Sequence, residues 1–425
     1  MTTRRRSLIA VTVFACGALV LIALAFRGTV GSGPGGTRST PAGSPIAGAS
    51  GGAGGLGGSG PGSGQSMTFY AAPPSAGAER QIEQLRTAGR DSDADLIARM
   101  VKVPTATWLT GGSPSGVRAQ VEDIAQRAGA DHTVPVIVLY NVPGRDCSGA
   151  SAGGARTGDD YRAWIEGVAR GIGDAPAMLI VEPDGLALLP SDCGQPDTYG
   201  RIRLIHDAAK TLSRDPNARI YLDAGHSRWH TTGDMATRLA QAGVTDFAGF
   251  FENVSNYQPT DQATAWGHWV SRCTWFGTKV RPGAFGSCPS QYDSPNPDDP
   301  SSWRVIDAMF DDLVGQVPPD KLPHLVIDTS RNGHGRWTAP AGAFSDPQDW
   351  CNPPGRGVGP RPTMTTGDPL LDAYVWVKVP GESDGPCLRG TKGPRDPLRN
   401  VVDPPAGEWF PDMALELARG AVPPL

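Results

Sequence analysis

Six short runs of mostly Val, Ile, Leu and aromatic residues, at positions 136–140, 178–181, 220–222, 248–251, 325–327 and 374–377, recur along the chain with longer amphipathic stretches between them. That alternation predicts parallel strands joined by helical crossovers, an α/β fold. Between the runs, Tyr161, Trp164, Ile165, Val168 and Ile172 fall at helical spacing, as do Ile202, Ile205, Ala208, Ala209 and Leu212. Each set should form a helix that packs one face on the sheet. The length of the foldable part suits a single distorted (β/α) barrel, TIM-like, with about seven parallel strands.

That foldable part is residues 68–425. Ahead of it, Arg4, Arg5 and Arg6 precede a mostly apolar stretch at 7–26 that ends at Arg27, and Ala23-Leu24-Ala25 offers a small-residue cleavage site. Residues 1–27 therefore read as a signal peptide or an N-terminal membrane anchor, and either reading places the bulk of the chain outside the cytoplasm. Residues 28–67 are dominated by Gly, Ser, Pro and Ala and cannot bury a core, so they read as a disordered tether. The expected location is extracellular, secreted or anchored to the outer face of the cytoplasmic membrane.

Of the seven cysteines, Cys16 lies in the apolar stretch. The other six, Cys147, Cys193, Cys273, Cys288, Cys351 and Cys387, form an even set in an exported domain and predict three disulfides, whose connectivity the count leaves open. No pair has the C-x-x-C spacing of zinc or redox sites, and no metal-ligand cluster or cofactor motif is present, so none is expected. A formal net charge of -5 gives no basic footprint for nucleic acid.

The chemistry-bearing motifs follow the strand-like runs: Arg145-Asp146, Glu182-Pro183-Asp184, Asp223 to His226, and the stretches 253–256, 328–335 and 378–384. In parallel barrels the loops after the strands converge on one mouth, so acids placed there can meet. A single Asp at such a place is more often a helix cap or a loop hydrogen-bonder. Six polar motifs, all at strand ends, point to a carboxylate hydrolase, in which one acid stays protonated to expel a leaving group while another is ionised and activates water.

Read in order, Tyr140-Asn-Val-Pro-Gly-Arg-Asp146-Cys147, Ile180-Val-Glu-Pro-Asp184, Tyr221-Leu-Asp-Ala-Gly-His226-Ser-Arg-Trp229 and Lys378-Val-Pro-Gly-Glu382-Ser-Asp384-Gly385 resemble glycoside hydrolase family 6, the β-1,4-glucan hydrolases comprising endoglucanases and cellobiohydrolases. Asn253-Val-Ser-Asn256-Tyr257, Asp328-Thr-Ser-Arg331 and Trp350-Cys-Asn352 are similar to further blocks of that family, and the likeness runs from about residue 69 to the C-terminus. It implies hydrolysis with inversion at the anomeric carbon, which requires an acid and a base far enough apart to admit a water. By the same resemblance Asp184 is the general acid, Asp146 the neighbour that keeps it protonated, Asp384 the candidate base, and Ser151 the residue that positions the water. Trp108, Trp229 and Trp350 match sugar platforms, Tyr140 a residue crowding the distorted ring, and His226, Lys378 and Glu382 hydroxyl ligands, with Asn256 a further substrate contact. Asp223 and Arg331 fit equally a pair of hydroxyl ligands or a structural ion pair at the mouth. The family also implies the pairs Cys147–Cys193 and Cys351–Cys387, which clamp active-site loops; Cys273 and Cys288 then remain as a local bridge, anchoring a Pro-, Ser- and Asp-rich surface loop at 282–299.

In that family cellobiohydrolases roof the cleft with two long loops and endoglucanases trim them. Here the loop after Asp146 is short and the one after Asp384 long, so the two point different ways. The chain reads on balance as an endoglucanase acting on β-1,4-linked glucan, expected as a monomer. The alternatives are an exo-acting cellobiohydrolase and, more remotely, a non-catalytic glycan-binding protein on the same scaffold.

Overall fold

The computed structural model describes residues 68–425. The proposed leader and tether, residues 1–27 and 28–67, lie outside the described residues. Among the described residues nine strands occur in chain order: β1 (Thr68–Phe69), β2 (Thr107–Leu109), β3 (Thr133–Val134), β4 (Val136–Leu139), β5 (Ala177–Val181), β6 (Ala218–Asp223), β7 (Gly249–Glu252), β8 (His324–Asp328) and β9 (Leu371–Val375). Seven of them form one sheet in the order β2-β4-β5-β6-β7-β8-β9, every pair parallel, while β1 pairs with β3 alone.

The inner strands β4, β5 and β7 are buried throughout and β6 and β8 over most of their length, which is why they read as near-continuous apolar runs. The edge strands β2 and β9 are only partly covered. Val136, Val138, Met178, Ile180, Tyr221, Phe251, Val326 and Val375 fill the barrel interior. Ile137, Leu139, Leu179, Val181, Leu222, Phe250 and Ile327, one position out of phase, face the helices. The period of two thus separates an inner core from an outer one.

The helices are α1 (Ala76–Thr87), α2 (Asp91–Met100), α3 (Pro114–Ala130), α4 (Gly158–Ile172), α5 (Arg201–Leu212), α6 (Thr232–Gln241), α7 (Thr260–Trp275), α8 (Arg304–Val314) and α9 (Pro411–Arg419). Their starts are written in the sequence: Ser113, Thr157 and Thr231 each cap a first turn with a side-chain oxygen, on the N–H of Gly116, Asp160 and Asp234. The residues expected on the core face of α4, Tyr161, Trp164, Ile165, Val168 and Ile172, are all buried, each burial contributing about 1.5–3 kcal/mol. Its Gly167 lets α3 approach, since a Cβ there would stand 2.4 Å from the Pro114 carbonyl oxygen. Among the described residues no helix is long and apolar enough to cross a membrane.

The barrel does not close by a strand ladder. The edge strands β2 and β9 meet where Ala106 N–H donates to the Trp376 carbonyl at 2.9 Å and the Trp108 indole N–H to the Val377 carbonyl at 2.8 Å. α1, α2 and α9 pack around Trp376 in a third cluster outside this seam.

Two strand expectations are corrected. The run at 374–377 belongs to a strand that begins earlier, at Leu371, because Leu371 already pairs with Leu325; Trp376 and Val377 continue beyond it, buried. β2 was not expected, since three residues, Thr-Trp-Leu, carry no periodic signal. The three disulfides are Cys147–Cys193, Cys273–Cys288 and Cys351–Cys387.

Candidate active site

The loops after the strands enclose a cleft of about 950 Å³. All twelve residues singled out from the sequence line it: Trp108, Tyr140, Asp146, Ser151, Asp184, His226, Trp229, Asn256, Trp350, Lys378, Glu382 and Asp384. It also takes in Arg145 of the Arg145-Asp146 motif, to which the sequence assigned no role, and Thr110, Arg228 and the rim residues Ala406, Gly407 and Glu408.

Asp184 follows β5 in a turn built on two left-handed residues, Glu182 (φ 54) and Asp184 itself (φ 64). What holds this turn is the buried Glu182 carboxylate, which accepts the backbone N–H groups of Asn141 and Val142 at 2.9 Å. A non-glycine residue with positive φ is sparsely populated and persists where its surroundings over-determine it. Burial pushes the Asp184 carboxyl up, the charges of Asp223 and Asp146 push it further, and it reaches about 8. Burial raises the Asp223 carboxyl as well, but N–H groups from Leu186, Ala187 and Gly225 donate to it and favour its charged form. Asp184 accepts no such set, so the protonated member of the pair is Asp184.

Asp146 also sits at positive φ, 56°. Its carboxylate accepts the Ser151 N–H at 2.6 Å, while Arg145 takes the Ser151 carbonyl at 2.9 Å, so both backbone groups of Ser151 are held from the Arg145-Asp146 pair. Gly149 is required inside this short loop, because a Cβ would stand 2.6 Å from the Asp146 carboxylate. The Asp146 carboxyl is raised by burial, against the Ser151 N–H and the Arg145 charge. The Arg145 guanidinium lies 4.5 Å from the Tyr140 ring centre. Burial and the neighbouring Asp184 and Asp146 charges keep the Tyr140 phenol neutral by pushing it up.

Asp384 has the opposite surroundings. Arg331, with no exposed side-chain surface, donates to both its oxygens at 2.8 and 2.9 Å, Asn352 N–H donates at 3.0 Å, and Lys378 Nζ stands 3.7 Å away. Burial alone would raise this carboxyl, but Arg331 and then Lys378 outweigh it and hold it below the usual range. The reading of Asp223 and Arg331 as an ion pair is therefore corrected: Arg331 belongs to Asp384, and Asp223 is satisfied by backbone N–H groups. Asp328, the acid that ends β8, is likewise a hub for the N–H groups of Ser255, Ser330, Val377 and Lys378, tying three loops together.

Along the cleft, burial drives His226 down to about 3, so it is neutral. Its Nδ1 faces the Arg228 N–H at 3.2 Å as an acceptor, which puts the proton on Nε2. Asn256 uses its amide oxygen on the Tyr257 N–H and the Gln258 amide, leaving its NH2 as a donor. Trp229 stacks on His230, and Trp350 is 48 % exposed at the mouth.

The fold and the cleft define a class: parallel α/β barrels whose strand-end loops build one trough of carboxylates and aromatic faces. Within that class the chain belongs to the glycosyl hydrolases family 6, whose model matches residues 64–421. Endoglucanase A of Thermobispora bispora is 34% identical over 331 residues, covering 77% of this chain. The chain spans 57% of that relative's length. A 1,4-β-D-glucan cellobiohydrolase of Podospora anserina is 30% identical over 368 residues, 78% of this chain and 68% of the relative. Among solved structures, the Mycobacterium tuberculosis endoglucanase Cel6, in complex with a thio-cellooligosaccharide, superimposes with a TM-score of 0.63 at 34% identity, covering 83% of this chain and 97% of that one.

Proposed function

We propose that this protein hydrolyses β-1,4-linked glucan, cutting within chains and inverting the anomeric configuration. The observation that carries the reading is the divergence of two carboxyls in one cleft: Asp184 is pushed up to about 8, and Asp384 is held below the ordinary range by Arg331 and Lys378. At neutral pH one is an acid and the other an anion, the pairing that acid–base hydrolysis needs.

In this reading Asp184 donates its proton to the glycosidic oxygen as the bond to the anomeric carbon breaks. Water attacks that carbon from the opposite face and its proton passes toward Asp384. Because the ion pair lowers the basicity of Asp384, its charge also serves to draw the proton through intervening water. Asp146 keeps Asp184 protonated and faces the positive charge that develops on the ring, while Ser151, fixed through its backbone, positions the water. Trp108, Trp229 and Trp350 offer apolar faces to sugar rings, Tyr140 crowds the ring at the point of cleavage, and His226, Asn256, Lys378 and Glu382 bind hydroxyls.

Endo action is favoured by the higher identity to relatives named endoglucanases than to the cellobiohydrolase. Three disulfides in the described residues support an exported catalytic domain at 68–425, behind a leader or anchor at 1–27 and a tether at 28–67. Carboxymethylcellulose tests the reading, with viscosity and reducing ends followed together. A steep viscosity drop per bond cut is expected; slow viscosity loss with cellobiose release marks exo action, and no product from any β-1,4-glucan contradicts hydrolysis.

A further inference from the structure

Arg228 lines the cleft beside Trp229, yet no step of the proposed hydrolysis uses it. Its guanidinium is drawn to the rim: Nη1 donates to the Pro297 carbonyl at 2.9 Å and Nη2 lies 2.6 Å from Asp298 Oδ1. Asp298 Oδ1 also receives Arg336 Nη2 at 2.9 Å, so the trio carries one surplus positive charge and leaves Asp298 Oδ2 as an acceptor.

The segment that supplies Pro297 and Asp298 is the surface loop expected to be anchored by the Cys273–Cys288 bridge. It is held at two further points besides that bridge. Cys288 bridges to Cys273 in α7. Gln291, fully buried, donates its amide to the carbonyls of Ser227 and His230 at 2.9 and 2.8 Å, on either side of Arg228 and Trp229. The Trp303 indole N–H donates to Pro297 at 3.2 Å. The loop thus grips the strand-end segment that carries the Trp229 platform and holds the cleft-lining Arg228 of that segment through the Pro297 carbonyl and a half-used Asp298 carboxylate, with further N–H donors of the guanidinium left over. A sugar ring has hydroxyls that both donate and accept, and it is met best by such a donor and acceptor held in place beforehand.

We infer that Arg228 and Asp298 form an additional sugar subsite beyond the Trp229 platform, so that glucan chains long enough to pass Trp229 are used in preference to shorter ones. This rests on the glucan-hydrolase reading above and gives it a chain-length preference set by the disulfide-anchored loop. Gln291 is the positioning residue of that subsite.

The experiment compares the full chain with Arg228→Ala and Asp298→Ala across cellotriose to cellohexaose, measuring kcat/KM for each length and the melting temperature of each variant. Both variants should lose about tenfold on the longest substrate, the worth of one charge-assisted hydrogen bond, and less than about twofold on the shortest that the wild type cleaves. A loss that is equal at every length, or no loss at any, overturns the subsite. Should Arg228→Ala lower the melting temperature, Asp298→Ala decides, because that side chain is 61% exposed and carries no core packing. A wild type that cleaves none of the series contradicts the hydrolase reading itself, a result distinct from a wild type with no length dependence.

Discussion

Arg331→Leu removes a guanidinium that lies wholly inside the protein and gives two hydrogen bonds to Asp384, a third to the Ser255 carbonyl, and a face to the Tyr257 ring at 4.4 Å. At an effective dielectric of about 20, a charge pair at 2.8 Å attracts by roughly 6 kcal/mol before desolvation is counted, and Lys378 at 3.7 Å retains roughly 4 kcal/mol of attraction for the stranded carboxylate. Removing one partner of a buried pair costs about 3–5 kcal/mol, because the other charge stays buried. Since a mid-sized domain moves by about 2–4 °C per kcal/mol and a larger one by less, the melting temperature at pH 7 should fall by roughly 5–10 °C. The pH dependence separates this cause from simple loss of packing. The Asp384 carboxyl is depressed in the folded wild type, so its contribution is present above the unfolded value near 3.8 and is lost as pH falls through the lower folded value. In the variant the carboxyl has lost its main cation and protonates at higher pH, which relieves the stranded charge. Melts followed by near-ultraviolet circular dichroism from pH 7 down to about pH 3.5 should therefore show the gap narrowing. A gap under about 1 kcal/mol at pH 7, or one that does not change with pH, refutes the assignment of Arg331 to the Asp384 charge.

Glu252→Gln addresses a carboxyl that is fully buried, has no hydrogen-bond partner on either oxygen among the described residues, and is raised well above its usual value by burial. Wild-type stability is undiminished below about pH 4.5 and falls as pH rises toward the folded value, so the variant should gain on it by about 1.4 kcal/mol per pH unit, read from urea midpoints between pH 5 and 8; parallel curves would contradict a neutral Glu252. Trp350→Ala should weaken oligosaccharide binding, measured by calorimetry, with little change in melting temperature because Trp350 is 48 % exposed. Trp108→Ala should lower both, since its indole also bonds across the barrel seam, and unchanged stability there would show the seam bond to be dispensable. Asp146→Asn removes one of the charges that raise Asp184, so the alkaline limb of the kcat/KM profile should move to lower pH; a limb that stays in place would detach Asp146 from the titration of the acid.

The strand runs were legible because a parallel sheet covered on both faces needs unbroken apolar segments. The acids Asp146, Asp184 and Asp384 could be singled out because they follow such runs, whereas Trp108, which lies within β2, and Trp350, far beyond β8, were picked out only through the family resemblance. What the chain could not disclose was partnership across distance. Arg331 and Asp384 are 53 positions apart, and Arg331 could as well have met Asp223. Asp223 and Asp328 look like Asp184 in the sequence, yet backbone N–H groups occupy them, a difference made only by loop geometry. β2 escaped notice because its three residues pair in a sheet without a periodic pattern. Glu252 closes an apolar strand and faces the packed side of α7, where Gly267 leaves room for it; its burial follows from register, not from its own polarity.

The account stands most directly on the stereochemistry of the first product. Proton resonance of the anomeric position, followed within the first turnovers on a soluble β-1,4-glucan oligosaccharide, should show the new reducing end appear in the α configuration and only later mutarotate. A new end that appears first as β would mean a covalent intermediate and retention, and would contradict the separate acid and base roles assigned to Asp184 and Asp384.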